Sequence, residues 1–226
     1  MPAPAERDTH FYEPAAGSGL PHSPFNAIIA PRPIGWISTR SADGVLNLAP
    51  YSFFTAFAYE PPIIGFASNG AKDTLANAEA TGEFCWNLVS RDLAGAMNAT
   101  SAAEPPGVDE FALAGVTPAA SRVVGVPHVA ESRTVFECRV TQVVTLLTAA
   151  GGTTGTRVVF GEVVGVHLDR ALLVDGVYQT VLADPVLRAG GPSAYYTLDE
   201  GLRLDMDRPA PGAAPAARRG LAGGPG

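Results

Sequence analysis

Two long β-branched runs constrain this chain more than anything else in it. Residues 135–147 read VFECRVTQVVTLL and residues 157–168 read RVVFGEVVGVHL, with Gly151-Gly152-Thr153-Thr154-Gly155 between them. Valine and threonine keep a favourable χ1 on a pleated surface, and the glycines supply the backbone freedom of a tight turn. The spacing predicts a strand over 135–147, a turn at 151–155 and a second strand returning over 157–168.

Shorter strands are expected before this hairpin. Ile34–Thr39 is β-rich, and Ser41-Ala42-Asp43-Gly44 follows it as a turn, Asp-Gly being a strong hairpin signal. Residues 45–48, 51–57, 63–67 and 83–89 also read as strands, with Pro61-Pro62 breaking the third from the second. The period changes at 72–80, where a helix is predicted with Asp73 or Thr74 as N-cap and Gly82 just past its end. Shorter helices are expected at 91–99 and 109–114. Many strands, tight turns and a few short helices predict a mainly β fold, a barrel with helical insertions, and the regular strand–helix alternation of a dinucleotide-binding fold is missing.

The ends differ from the middle. Residues 1–24 read as an irregular lead-in. Fifteen of the last twenty residues are Ala, Gly or Pro, so residues 206–226 are expected to be a disordered tail. The folded domain is then 25–205. A net charge of −7 disfavours nucleic-acid and anionic-membrane partners while leaving room for a local phosphate pocket. No apolar run reaches the roughly 20 residues of a membrane span, and the start shows no signal-peptide pattern, so a cytoplasmic protein is the expectation. Cys85 and Cys138 sit in apolar strands and read as free buried thiols.

Several chemistries lack their motifs. There is no GxxxxGK[ST] loop, no Gly-x-Ser-x-Gly elbow and no Ser-x-x-Lys pair, and His10, His22, His128 and His167 are scattered without metal-ligand spacing. Three polar clusters remain. Lys72-Asp73-Thr74 opens a helix after an apolar strand. Its free backbone N–H groups, a hydroxyl and an ammonium suit a phosphate, and they equally suit an ordinary cap with a solvated lysine. Lys72 is the one lysine beside fourteen arginines, either a remnant of biased composition or a position where a compact charge is wanted. Ser38-Thr39 ends the first strand. Residues 47–55 (NLAPYSFFT) mix small, hydroxyl and aromatic groups, suiting either a core strand or a platform for an aromatic ring.

Read in order, these pieces resemble the flavin reductase-like, FMN-binding split-barrel family. The resemblance rests on RPIGWIST at 32–39, NLAPYSFF at 47–54, KDTL at 72–75, EFCWNLV at 83–89, AMNATS at 96–101, VDEF at 108–111, FEC at 136–138, GEVVGVH at 161–167 and RAGG at 188–191. It implies a Greek-key antiparallel split barrel that forms a homodimer with FMN near the subunit interface. By the same resemblance the phosphate lies against Ser38 or Thr39, Ser68, Lys72, Asp73 and Thr74, and the ring against Ala49, Pro50, Tyr51, Ser52 and Phe53. The implied activity is hydride transfer from NADH or NADPH to flavin N5, with reduced flavin supplied to a partner monooxygenase in some members. A non-catalytic electron carrier and a flavin-binding module without turnover share the same site. His167 is the one side chain with a catalytic reading, against a structural one. Tyr195 and Tyr196 either cover the ring or pack in the core.

Overall fold

A computed structural model describes residues 7–206, 208, 210 and 211. The tail expected from 206 onward therefore lies mostly outside the described residues. The first elements are a helical turn α1 (Phe25–Ile28) and the strands β1 (Arg32–Pro33), β2 (Gly35–Arg40), β3 (Leu46–Tyr51), β4 (Phe54–Tyr59) and β5 (Pro62–Asn69). Helix α2 (Asp73–Thr81), strand β6 (Glu83–Asn87), helix α3 (Ala94–Ala99) and helix α4 (Glu110–Ala114) follow. A small hairpin of β7 (Pro118–Ala119) and β8 (His128–Val129) precedes the long strands β9 (Thr134–Leu147) and β10 (Thr153–Leu168). Short strands β11 (Leu173–Val174), β12 (Val177–Tyr178), β13 (Leu187–Arg188) and β14 (Tyr195–Tyr196) close the described chain.

Seven strands form one antiparallel sheet in the order β3-β2-β6-β9-β10-β5-β4. Strands β3 and β4 thus occupy opposite edges, yet only Ser52 and Phe53 connect them. Laid flat, the two edges would stand about 29 Å apart, six spacings of roughly 4.8 Å. Three residue steps reach about 10 Å. The sheet must therefore curl until its edges meet. No ladder joins β3 to β4, so the closed barrel keeps a seam and is a split barrel.

The barrel interior is packed by Ile37, Tyr51, Ile64, Phe66, Leu75, Phe84 and Val159. Phe66 and Phe84 meet edge-on at 5.4 Å between centroids. Gly161 makes room for that pair, because a Cβ there would stand 2.4 Å from the Phe84 ring. A second core of Trp36, Leu48, Met97, Phe111 and Val129 seats α3 and α4 on the sheet.

Local departures from the sequence reading have physical causes. The expected strand 51–57 is broken at Ser52–Phe53, where the chain crosses from one edge to the other. Neither Asp73 nor Thr74 is the N-cap of α2. Lys72 is, in extended conformation, and its ammonium has no acceptor to offer the helix N–H groups, while the Asp73 and Thr74 side chains bond to Gly107 and Asn47. The expected Gly82 ends α2 in the left-handed conformation at φ 70°. The 91–99 segment begins as a 3-10 turn, Arg91–Leu93, before α3. Asp109 caps α4 by accepting from Phe111 N–H at 2.9 Å.

Candidate functional site

The first turn of α2 is tied to the sheet by side-chain amides. Asn47 of β3 donates to Thr39 Oγ1 at 3.0 Å and to Thr74 Oγ1 at 2.9 Å, and Asn77 donates to Thr39 Oγ1 at 3.2 Å. All four residues are buried. The amides spend their hydrogens on the two hydroxyls, so Thr39 and Thr74 each retain a hydroxyl hydrogen to donate. The N–H groups opening α2 receive no side-chain cap.

Tyr51 stands beside this network. Its hydroxyl is buried with no hydrogen-bond partner. Burial chiefly raises its pKa. The hydroxyls of Thr74 and Ser68 oppose that without meeting hydrogen-bond geometry, while Glu110 and Asp73 add to it, so the phenol is a neutral donor near pH 7. Lys72 Nζ lies 5.9 Å from the Tyr51 ring centroid. A buried donor left without an acceptor is rare and calls for a missing partner.

These groups line a cavity of about 310 Å3 whose facing wall is the 100–106 segment. Three bonds fix that wall: Trp36 Nε1 to Thr100 Oγ1 at 3.0 Å, Gly107 N–H to Asp73 Oδ2 at 3.1 Å, and Leu48 N–H to Glu110 Oε2 at 3.0 Å. Burial pushes the Glu110 carboxyl up in pKa, and the Leu48 N–H opposes it.

Thr39, Ala49, Pro50, Tyr51, Lys72, Asp73 and Thr74 are thus brought together, with Ser68 buried beside the Tyr51 hydroxyl. Ser38 faces the other side of β2, where Asn87 Nδ2 donates to its Oγ at 3.2 Å. Ser52 and Phe53 line a separate, more apolar depression of about 450 Å3. There Arg32 Nε donates to Ser52 O at 3.1 Å, and the guanidinium sits 5.7 Å from the Phe53 centroid. Arg32 pairs in register with Arg188, which stacks on Tyr195 at 4.8 Å, and Tyr196 is exposed. His167 lines a third cleft that shares no residue with the α2 cavity. Asn77 and Glu110 were missed in the sequence. Asn77 had a signal, lying three residues after Thr74 on the same helical face. Glu110 had none, since its bond to Leu48 spans 62 residues.

A family model described as a flavin reductase like domain matches residues 29–182. A Deinococcus radiodurans protein of uncharacterised function is 36% identical over 199 residues, covering 83% of this chain and 85% of that protein. Among solved structures, nitrilotriacetate monooxygenase component B from Bacillus cereus superposes with a TM-score of 0.74 at 32% identity, covering 80% of this chain and 90% of that one. The 2-nitrobenzoate 2-nitroreductase of Pseudomonas fluorescens gives a TM-score of 0.73 at 25% identity over 84% and 92%.

Proposed function

The chain belongs to the flavin reductase-like domain family, and from that membership we propose that it binds FMN in the α2 cavity and acts as an NAD(P)H-dependent flavin oxidoreductase. One observation carries the FMN reading. The partnerless Tyr51 hydroxyl, the uncapped start of α2 and the spare hydroxyl hydrogens of Thr39 and Thr74 are all donors without acceptors, and they gather at one lysine. A phosphate monoester supplies acceptors in that number and with the matching charge.

In this reading Lys72, Thr74 and the first N–H groups of α2 hold the phosphate, with Tyr51 and Ser68 closing its side. Thr39 and Asn47 keep Thr74 in place. Ala49, Pro50 and Tyr51 lead the ring toward Ser52 and Phe53. When bound, FMN supplies a ring that takes a hydride at N5 from NADH or NADPH and passes the electrons on. The chain contributes position and water exclusion rather than proton transfer, its neutral Tyr51 and bonded Glu110 being fixed donors and acceptors. His167, in its separate cleft, has no role in this step.

We further propose a homodimer with the flavin near its interface. The edge strand β4 and its approach support this, since Phe53, Phe57 and Tyr59 are exposed by 47%, 55% and 93%. A monooxygenase partner is proposed from the likeness to a monooxygenase component B. No helix among the described residues is long and apolar enough to cross a membrane. A cytoplasmic location is proposed with it.

The test is to mix purified protein, FMN and NADH or NADPH and follow the nicotinamide absorbance. Its decay supports the oxidoreductase. A yellow protein that oxidises neither nucleotide leaves an FMN-holding electron carrier. A colourless protein that FMN cannot saturate removes the FMN reading.

A further inference from the structure

A larger cleft, about 650 Å3, opens where the Thr134 end of β9 and the Leu168 end of β10 meet the 122–133 segment. At its base lies Glu137, fully buried, whose carboxylate accepts from the N–H groups of Arg122 (2.8 Å), Val123 (2.6 Å) and Val124 (3.0 Å) and from His167 Nε2. Gly165 leaves the space, since a Cβ there would come within 3.2 Å of the Glu137 carboxyl carbon. Burial pushes this carboxyl up, and its four donors outweigh burial and hold it at about 2. It is therefore an acceptor only, so His167 Nε2 carries the hydrogen and Nδ1 is left for the cleft.

The His128 ring lies 4.5 Å from His167 between centroids. Ser121 Oγ donates to Val126 O at 2.6 Å, which spends its hydrogen, so His128 Nδ1 is the donor in the 3.4 Å contact with Ser121. His128 Nε2 is then also left over. Burial chiefly, and then His167, lower the His128 pKa, with Glu137 opposing, so this ring is neutral near pH 7.

The surrounding charges are unequal. Asp169 is committed to Arg133 Nε at 2.8 Å and Ala171 N–H at 2.9 Å, and both oxygens of Glu131 accept from Thr117 N–H. Among the described residues, the Arg122 and Arg170 side chains have neither ion pair nor hydrogen bond. Two open guanidinium groups and two unspent imidazole nitrogens thus share one cleft in a chain of net charge −7.

We propose that this cleft is a second ligand site, taking a phosphate-type dianion between the Arg122 and Arg170 guanidinium groups and the His128–His167 pair. The guanidinium fork matches phosphate oxygens two at a time. His128, neutral near pH 7, becomes a second donor only by gaining a proton. Arg133 and Asp169 pair with each other, and Glu131, bonded to the neutral Thr117 N–H, keeps its charge, so the three lining arginines exceed the two lining carboxylates by one.

The experiment titrates inorganic phosphate into FMN-saturated protein and follows the imidazole resonances of His128 and His167. Saturable shifts of both imidazole signals are expected. Replacing both Arg122 and Arg170 by Ala weakens binding about tenfold or more while FMN affinity is unchanged. Adenosine 5′-monophosphate run in parallel separates the sources: tighter binding than phosphate identifies a nucleotide ligand, equal binding a free anion. Unmoved imidazole signals, or shifts that survive loss of both arginines, overturn the site. If FMN does not bind, the same titration on the unliganded protein includes Lys72→Ala. Phosphate lost only with Lys72 belongs to the α2 cavity and refutes the cleft, and phosphate lost only with the two arginines supports it.

Discussion

Two of the molecule's buried polar clusters are treated oppositely. Around Glu137 a full charge is taken out of water and all its needs are met, by three N–H groups and one imidazole. Around Thr74 the buried hydroxyls and amides are neutral, yet hydroxyl hydrogens and helix N–H groups are left over. The first arrangement is complete without a ligand and holds the 122–124 segment to the barrel. The second, in the proposed reading, is completed by a ligand that brings acceptors. What distinguishes the proposed FMN site from the Glu137 cluster is its surplus of donors, not the depth of burial.

The sharpest way to break this contrast is Glu137→Gln, the largest effect expected. A folded pKa of about 2 against an ordinary 4.5 stabilises the fold fully above pH 4.5, and that contribution is lost as pH falls through 2. The substitution should cost about 3 kcal/mol at pH 7 and flatten the acid limb between pH 4.5 and 2, read by denaturant melts across pH. An unchanged acid limb would show that the carboxylate is not held as described. Lys72→Ala comes next. It should weaken FMN about tenfold to a hundredfold by fluorescence titration and leave riboflavin, which has no phosphate, nearly untouched. Equal losses for both flavins would take Lys72 off the phosphate. Tyr51→Phe is subtler. Without flavin it should be neutral to about 1 kcal/mol stabilising, because a buried hydroxyl with no partner is removed, and with FMN it should lower affinity about tenfold. Destabilisation of the flavin-free protein would mean the hydroxyl already had its partner. Smallest of all, Ser38→Ala should keep FMN affinity within about twofold, since Asn87 and not the cavity holds that hydroxyl.

Features set by near neighbours in the chain were legible in the sequence. The β9–β10 hairpin declares itself by β-branching and glycine, and α2 by its change of period and by Gly82. Asp109 precedes an apolar run and caps it. What was hidden depends on partners far along the chain. Alternation says that Ser38 and Thr39 face opposite sides without saying which side is the cavity. Asp73 and Thr74 look like caps, and only the distant N–H of Gly107 and the amide of Asn47 explain why neither serves. The seam was invisible because Ser52 and Phe53 continue an aromatic run that reads as unbroken strand. Glu137 looks like one polar residue in a strand. Its meaning comes from a segment thirteen to fifteen residues upstream and an imidazole thirty downstream.

The two-residue link between β3 and β4 has a mechanical corollary. It ends one strand at Tyr51, in the cavity with Lys72, and begins the next beside Phe53, in the depression under Arg32. Two neighbouring hollows are therefore spaced by a covalent ruler of fixed length rather than by packing that can drift. An insertion there would leave each hollow intact and change only the interval between them, so a molecule long enough to occupy both would feel the error before the fold did.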